Sequence, residues 1–192
     1  MQTMDYKDFI RTKKSNDRFT HSVNVADEAV MLAKQYGCDE QLAYIAGILH
    51  DVAKEFSKEE QLQIIADGGI ILDNVQKNAP KLWHSICGSI YVRDVMGIKD
   101  NNIINAVRYH TTGRADMSLL EKIIYTADFT SPERSYDGVE TMRTLSRRRL
   151  EDAMLFSCKF TLENLSSKEL AIHKDQLDCY NELVLHAERS NL

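Results

Sequence analysis

The chain has 192 residues, 43% of them hydrophobic, enough for one compact domain with a sizeable core and too few for two comfortable ones. A formal net charge of -5 leaves no field of Lys and Arg for nonspecific nucleic-acid binding, and no window reaches the length of a membrane span, so neither is expected as a partner. Cys38, Cys87, Cys158 and Cys179 form no C-x-x-C pair and the N-terminus has no signal-peptide core, which argues against a disulfide framework, a thiolate zinc site or export and for a reducing cytoplasm.

With only Pro80 and Pro132 and eight glycines as breakers, and apolar residues recurring every three or four positions, the expected class is all-α, a bundle of about eight helices. In chain order, His21 opens "HSVNVADEAVMLAKQYG", a helix closed by Gly37. Leu42, Ile45, Ala46 and Leu49 then form a buried stripe that runs straight into His50 and Asp51. Ser57-x-x-Glu60 matches a capping box and starts the next helix. After Pro80, Trp83 and His84 begin "WHSICGSIYVRDVMG", ending at Gly97, and "NNIINAVRYHTTG" carries His110 towards Gly113. A second box, Ser118-x-x-Glu121, opens a helix whose apolar residues Leu119, Leu120, Ile123, Ile124 and Ala127 lead to Asp128. The last third reads as two longer amphipathic helices, over "TLSRRRLEDAMLFSCKFTLENL" and "ELAIHKDQLDCYNELVLHAERS", with a basic turn at Arg147 to Arg149 and a box at Ser166-x-x-Glu169. No repeat or linker marks a boundary, so residues 1–192 are expected to form one domain, with the last two helices (about 147–190) packing on the rest.

The residues able to carry chemistry are histidines and carboxylates. His21, His50, His84 and His110 fall near predicted helix ends, whereas His173 and His186, beside Lys174, Asp175, Glu182 and Glu188, read as solvated. Imidazoles with carboxylates suit first-row transition metals, and four histidines with two aspartates are enough for two ions sharing a bridging carboxylate. Taken singly, a histidine on a half-apolar helix is more often a hydrogen-bonded structural residue than a ligand. Trp83 and Tyr109 read as packing residues, and the Arg147–Arg149 cluster as a solvated helix start.

Taken together, His21, the pair His50–Asp51 and Asp128 match an H…HD…D signature, and the chain resembles the HD superfamily of metal-dependent phosphohydrolases. The extra histidines in "LWHSICGS" and "RYHTTGR", with "HDVAKEF" and "YTADFTSPER", are similar to the YqeK-like branch over nearly the whole chain. The resemblance implies an enzyme that cleaves diadenosine tetraphosphate symmetrically into two ADP by means of a hydroxide bridging two metals. It implies that His21, His50, Asp51 and Asp128 hold one ion and that Asp51 bridges to a second on His84 and His110. Divalent or mixed-valence iron is the expected metal, with manganese, cobalt and zinc also fitting. Phosphate and substrate contacts are expected at Lys54 and Arg134, which with Asp51 would take part in catalysis, and at Arg18, Thr111, Thr112 and Gly113. The competing readings are hydrolysis of mononucleotides, triphosphates or a cyclic dinucleotide, and an idle nucleotide-binding module. A homodimer stays open, because an apolar stripe on a C-terminal helix can face the core or another subunit.

Overall fold

The computed structural model describes the backbone of residues 5–189 and the side chains of 5–186; residues 1–4 and 190–192 of the expected domain lie outside the described residues. Among the described residues the chain is helical throughout, with no strand. The helices are α1 (Tyr6–Lys13), α2 (Asn16–Tyr36), α3 (Glu40–Leu49), α4 (Lys58–Asp67), α5 (Asn74–Asn78) and α6 (Trp83–Ile90). They continue with α7 (Asn101–Tyr109), α8 (Leu119–Thr130), α9 (Val139–Ser146), α10 (Leu150–Ser167) and α11 (Lys174–Arg189). A 3-10 turn at Pro80–Leu82 leads into α6, and a π turn at Tyr91–Val95 leaves it. Among the described residues eleven α-helices therefore stand where about eight were expected, because α1, α5 and α9 are too short to show a clear period.

Local sequence accounts for most of the boundaries. Ser57 with Glu60 and Ser118 with Glu121 form the expected capping boxes at α4 and α8, and Asp73 with Gln76 forms another at α5. Ser166 and Glu169 do not: α10 runs through Ser166, whose hydroxyl donates to the Glu163 carbonyl at 3.2 Å, and Glu169 follows the helix end with φ +54°. Gly37, at φ +75°, closes α2 as expected. That helix begins five residues earlier than its histidine suggested, capped by Ser15. Glu55 holds this cap from across the fold, accepting from Ser15 N at 3.0 Å and Ser15 Oγ at 2.5 Å.

The central core lies between α2, α3, α7 and α8. Val25, Ala26, Ala29 and Leu32 face Ala43, Ala46, Ile48 and Leu49, and Val107, Ile123, Ile124 and Ala127 complete it. Small residues let α2 and α3 pack closely; a Cβ on Gly47 would lie 2.7 Å from Ala26 Cα. A satellite cluster of Ala53, Ile65, Trp83, Ile86, Cys87 and Ile90 seats α6 against α4. In a third, Tyr125 of α8 meets Met154 and Cys158 of α10 and Cys179 and Leu183 of α11. The Arg147–Arg149 turn separates α9 from α10, but Arg147 is not merely solvated: it contacts both oxygens of the buried Glu28 at 2.9 Å.

Candidate metal centre

Five helices deliver six ligand-type side chains to one point. His21 projects from the second turn of α2, His50 caps α3 with Asp51 next to it, His84 stands in the first turn of α6, His110 caps α7, and Asp128 lies near the end of α8. His21, His50, Asp51, His84 and His110 are buried, and the ligand-capable atoms form three overlapping groups: His21–His50–Asp51, His50–His110–Asp128 and Asp51–His84–His110. The buried C-terminal half of α3, packed on α2, α7 and α8, explains the first pair, since such a helix holds a side chain more rigidly than a loop does.

The two oxygens of Asp51 face different partners. Oδ2 lies 3.7 Å from His21 Nε2 and 3.6 Å from His50 Nε2, while Oδ1 lies 3.2 Å from His84 Nε2 and 3.4 Å from His110 Nε2. Asp128 Oδ1 belongs to the first set, 3.1 Å from His21 Nε2 and 3.8 Å from His50 Nε2.

Hydrogen-bond accounting shows why these atoms suit a cation. His50 Nδ1 donates to the Gly47 carbonyl at 2.7 Å and His110 Nδ1 to the Val107 carbonyl at 2.8 Å, so in the neutral ring each Nε2 is a bare lone pair. Lys54 Nζ, which can only donate, lies 3.1 Å from His84 Nε2, so that nitrogen is an acceptor too. Yet His84 and His110 Nε2 stand only 3.1 Å apart, and Asp51 Oδ1 is buried without a hydrogen bond. Converging lone pairs and an orphaned buried carboxylate oxygen are costly unless positive charge sits among them, and nitrogen and oxygen donors in this mixture fit first-row transition metals.

The electrostatics agree. Burial, assisted against protonation by the neighbouring His110, holds His50 down to about 3 despite Asp51 and Asp128, and burial likewise lowers His84 to about 4. Both are therefore neutral and ligand-ready at physiological pH. Burial opposes the charge on Asp51, but His50, His110, His84 and Lys54 outweigh it and hold the carboxyl well below its usual range. Asp128 is likewise held low against burial by His21 and Arg134. His21 differs: burial favours its neutral form, but Asp128 on Nε2 and Glu133 on Nδ1 raise its pKa.

Cations surround the cluster. Arg18 Nη1 reaches Asp51 Oδ2 at 2.5 Å, Arg134 hydrogen-bonds Asp128 Oδ1 and its backbone carbonyl, and Lys54 Nζ is 3.7 Å from Asp51 Oδ1. Thr111 Oγ1 lies 3.3 Å from His84 Nε2 and 3.2 Å from His110 Nε2. Thr112 and Gly113 are not brought into the cluster: the Thr112 hydroxyl donates to the Gly113 carbonyl at 2.8 Å, and Gly113, at φ +64°, makes a turn packed on Cys179.

Glu133 escaped the sequence reading. It accepts from Asn24 and Ser131 and fixes the His21 ring, an outer carboxylate of the kind that orients metal-bound histidines, but its only signal was its place beside Arg134 in "SPER". His173 is corrected as well: it is buried rather than solvated, with Nε2 2.9 Å from Asp73 Oδ2 and Nδ1 accepting from Asp175 N at 3.3 Å. Trp83 packs as expected and donates to the Gln76 carbonyl at 2.6 Å.

Comparison with known proteins gives a consistent result. The HD domain family matches residues 18–133, a span that contains all six of the converging side chains. The chain is 39% identical to a symmetrical bis(5'-nucleosyl)-tetraphosphatase of Halalkalibacterium halodurans over 92% of this chain and 94% of that protein. It is 39% identical to the protein of the same name from Bacillus subtilis, covering 91% and 94% of the two chains. A crystal structure of a predicted HD superfamily hydrolase involved in NAD metabolism from Clostridium acetobutylicum superposes with a TM-score of 0.91 at 35% identity, covering 94% and 96% of the chains.

Proposed function

The chain belongs to the HD domain family, and on that premise we propose that it hydrolyses diadenosine tetraphosphate symmetrically, giving two molecules of ADP. The observation that carries the reading is Asp51, whose two oxygens face two separate histidine pairs. In this reading His21, His50, Asp51 and Asp128 hold one ion, and Asp51, His84 and His110 hold the other. The histidine-rich set favours iron, with manganese, cobalt and zinc as the other metals that fit. Such a pair, when bound, neutralises phosphate charge and lowers the pKa of an attacking water.

The remaining work falls to the chain itself. The centre is flanked by two crevices of similar size: about 630 Å³ on the side of Arg18, His21 and Arg134, and about 590 Å³ on the side of Lys54, His84 and Thr111. A substrate whose middle anhydride lies over the centre sends one half along each. Arg18 and Arg134 then contact the phosphates of one half and Lys54 those of the other, where they offset charge that builds on the attacked phosphate and on the departing ADP. Thr111 Oγ1 supplies a neutral donor between His84 and His110. Asp51 and Asp128, both held ionised, stay fixed rather than exchange protons. The free thiols fit a reducing cytoplasm, and among the described residues no helix is long and apolar enough to cross a membrane.

The test is to supply purified protein with iron, manganese, cobalt or zinc, add diadenosine tetraphosphate, ATP, a deoxynucleoside monophosphate or a cyclic dinucleotide, and separate the products. ADP as sole product from the first substrate is expected. AMP with ATP would overturn the register, and absence of turnover with every metal would overturn the assignment.

A further inference from the structure

Next to the crevice of Lys54 and His84 lies a more enclosed chamber of about 310 Å³. The two share Pro80, Lys81 and Thr111 as a common wall, so the chamber adjoins the metal centre through Thr111, the residue whose hydroxyl reaches His84 and His110. Elements far apart in the chain build it: the 3-10 turn below, α10 along one side, and the connection to α11 above. Pro80, Leu82 and Leu165 give it apolar faces.

Most of its surface is apolar, and the buried polar side chains in its lining, Thr112, His173 and Gln176, are each hydrogen-bonded. Gln176, buried at the start of α11, lies with Nε2 3.3 Å from Cys158 Sγ, and His173 is tied to Asp73 at the cap of α5. Apolar walls, a small number of immobilised polar groups and a mouth lined by Lys54, Lys58 and Lys81 suit a ligand with a flat apolar body and a polyanionic tail. The crevice across the centre is more open and more polar, lined by Ser15, Asp17, Arg18 and Tyr136 among others.

We propose that this chamber receives one nucleoside of the substrate, with its base between Pro80 and Leu165 and its edge read by the Gln176 amide. Glutamine amides pair naturally with the donor and acceptor edge of adenine. The phosphates then leave past Lys81 and Thr111 towards the metal ligands, and the two halves of a symmetrical substrate are held unequally, one base enclosed and the other exposed. This inference rests on the dinucleotide reading above and adds to it the site that recognises the base.

Thr161 and Ala171 line the chamber and neither of the two crevices beside the centre, and Ala171 is exposed in the connection outside both helices, so a Trp there is expected to leave helix packing in place. Calorimetric affinities of the metal-loaded protein for ADP and for pyrophosphate, which has the same two phosphates and no nucleoside, separate base binding from phosphate binding. The wild type is expected to prefer ADP. Thr161→Trp and Ala171→Trp are expected to cut that preference roughly 10- to 100-fold, the range commanded by one well-held base, while pyrophosphate affinity and metal content hold. A preference retained in both variants, an equal loss for both ligands, or no preference in the wild type would overturn the inference. If the preference behaves as expected but diadenosine tetraphosphate is not split, the chamber stands as a nucleoside site and the hydrolytic reading falls; if ADP forms and the preference ignores both residues, the reverse holds.

Discussion

Gly47→Ala tests whether the close crossing of α2 and α3 positions the proposed metal ligands. A Cβ at this position would lie 2.7 Å from Ala26 Cα, 3.1 Å from Ala26 N and 3.2 Å from Val25 O, all backbone atoms of α2. Ordinary contact begins near 3.4 Å, and backbone cannot swing aside as a side-chain tip can, so the helices must part by up to about 1 Å. Overpacking of this kind costs about 1–3 kcal/mol, against roughly 1 kcal/mol gained by replacing a helical glycine with alanine. The net loss of up to about 2 kcal/mol lowers Tm by at most roughly 4–8 °C in a chain of this size. His21 sits on α2 and His50 on α3, with Nε2 atoms 3.2 Å apart, and the Gly47 carbonyl itself holds His50 Nδ1. A misplacement of about 1 Å at such a site costs on the order of 100-fold in turnover. Gly88→Ala is the control. Its Cβ meets only side-chain atoms, Val107 Cγ1 at 3.3 Å, Val52 Cγ1 at 3.5 Å and Ala53 Cβ at 3.8 Å, so the helix-propensity gain of up to about 1 kcal/mol largely survives. Thermal unfolding, metal content and kcat/KM are compared for both variants. Equal melting temperature and turnover in the two would refute the argument.

Other outcomes follow from the same geometry. His84→Ala should remove roughly half of the bound metal while His21, His50 and Asp128 keep the rest; elemental analysis showing a full complement would argue against His84 as a ligand. Glu133→Gln should weaken metal affinity by about 10- to 100-fold, the range for losing an outer carboxylate that orients a metal-bound histidine, and competition with a chelator reads this directly. In chelated protein, His50 and His84 refuse protons until about 3 and about 4, whereas the unfolded chain accepts them from about 6.5 downward. Their contribution is therefore intact above pH 6.5 and lost as pH falls towards 4; the raised pKa of His21 acts in the opposite sense above 6.5. A urea midpoint unchanged between pH 6.5 and 4.5 would contradict this.

The parts of the fold that were legible in the sequence are those whose cause is local. The stripe from Leu42 to Leu49 announced where His50 and Asp51 would be held, and Ser57–Glu60 and Ser118–Glu121 announced two helix starts, because each signal is complete within a few residues. The errors arose where the deciding partner is distant. Ser15 has Arg18 where a capping box would need Glu or Gln, and its cap is held by Glu55, forty residues away. His173 looked solvated among charged neighbours, yet its partner Asp73 is 100 residues back. Ser166-x-x-Glu169 shows the converse: the pattern is present, but Ser166 lies in the last turn of α10 with its hydroxyl bonded back to the Glu163 carbonyl, so it caps no new helix. For the site, the order of His21, His50–Asp51, His84, His110 and Asp128 was readable and the resemblance implied Asp51 as their bridge, whereas the hold of Glu133 on His21, 112 residues away, exists only once the chain after α8 meets α2.

A net charge of -5 works against a polyanion over the chain as a whole, and the resolution lies in how the charge is distributed. Around the centre the carboxylates Asp51, Asp128 and Glu133 are equalled in number by Arg18, Arg134 and Lys54: Arg18 contacts Asp51, Arg134 contacts Asp128, Lys54 faces Asp51 and His84, and Glu133 is held by His21, Asn24 and Ser131. The ligand imidazoles His50 and His84 add none, since burial keeps them neutral. The protein groups of the site are thus close to electroneutral, so bound divalent cations leave a local positive surplus that surface acids cannot cancel through water and salt. Beyond the centre, one crevice carries Arg18 and Arg134 together with the acids Asp17, Glu55 and Glu133, and the other is lined by Lys54, Lys58 and Lys81. A ligand with charge only at one end satisfies one crevice. A polyphosphate chain long enough to pass over the centre satisfies both, which is why local charge, rather than the overall acidity of the chain, points to a bridging substrate.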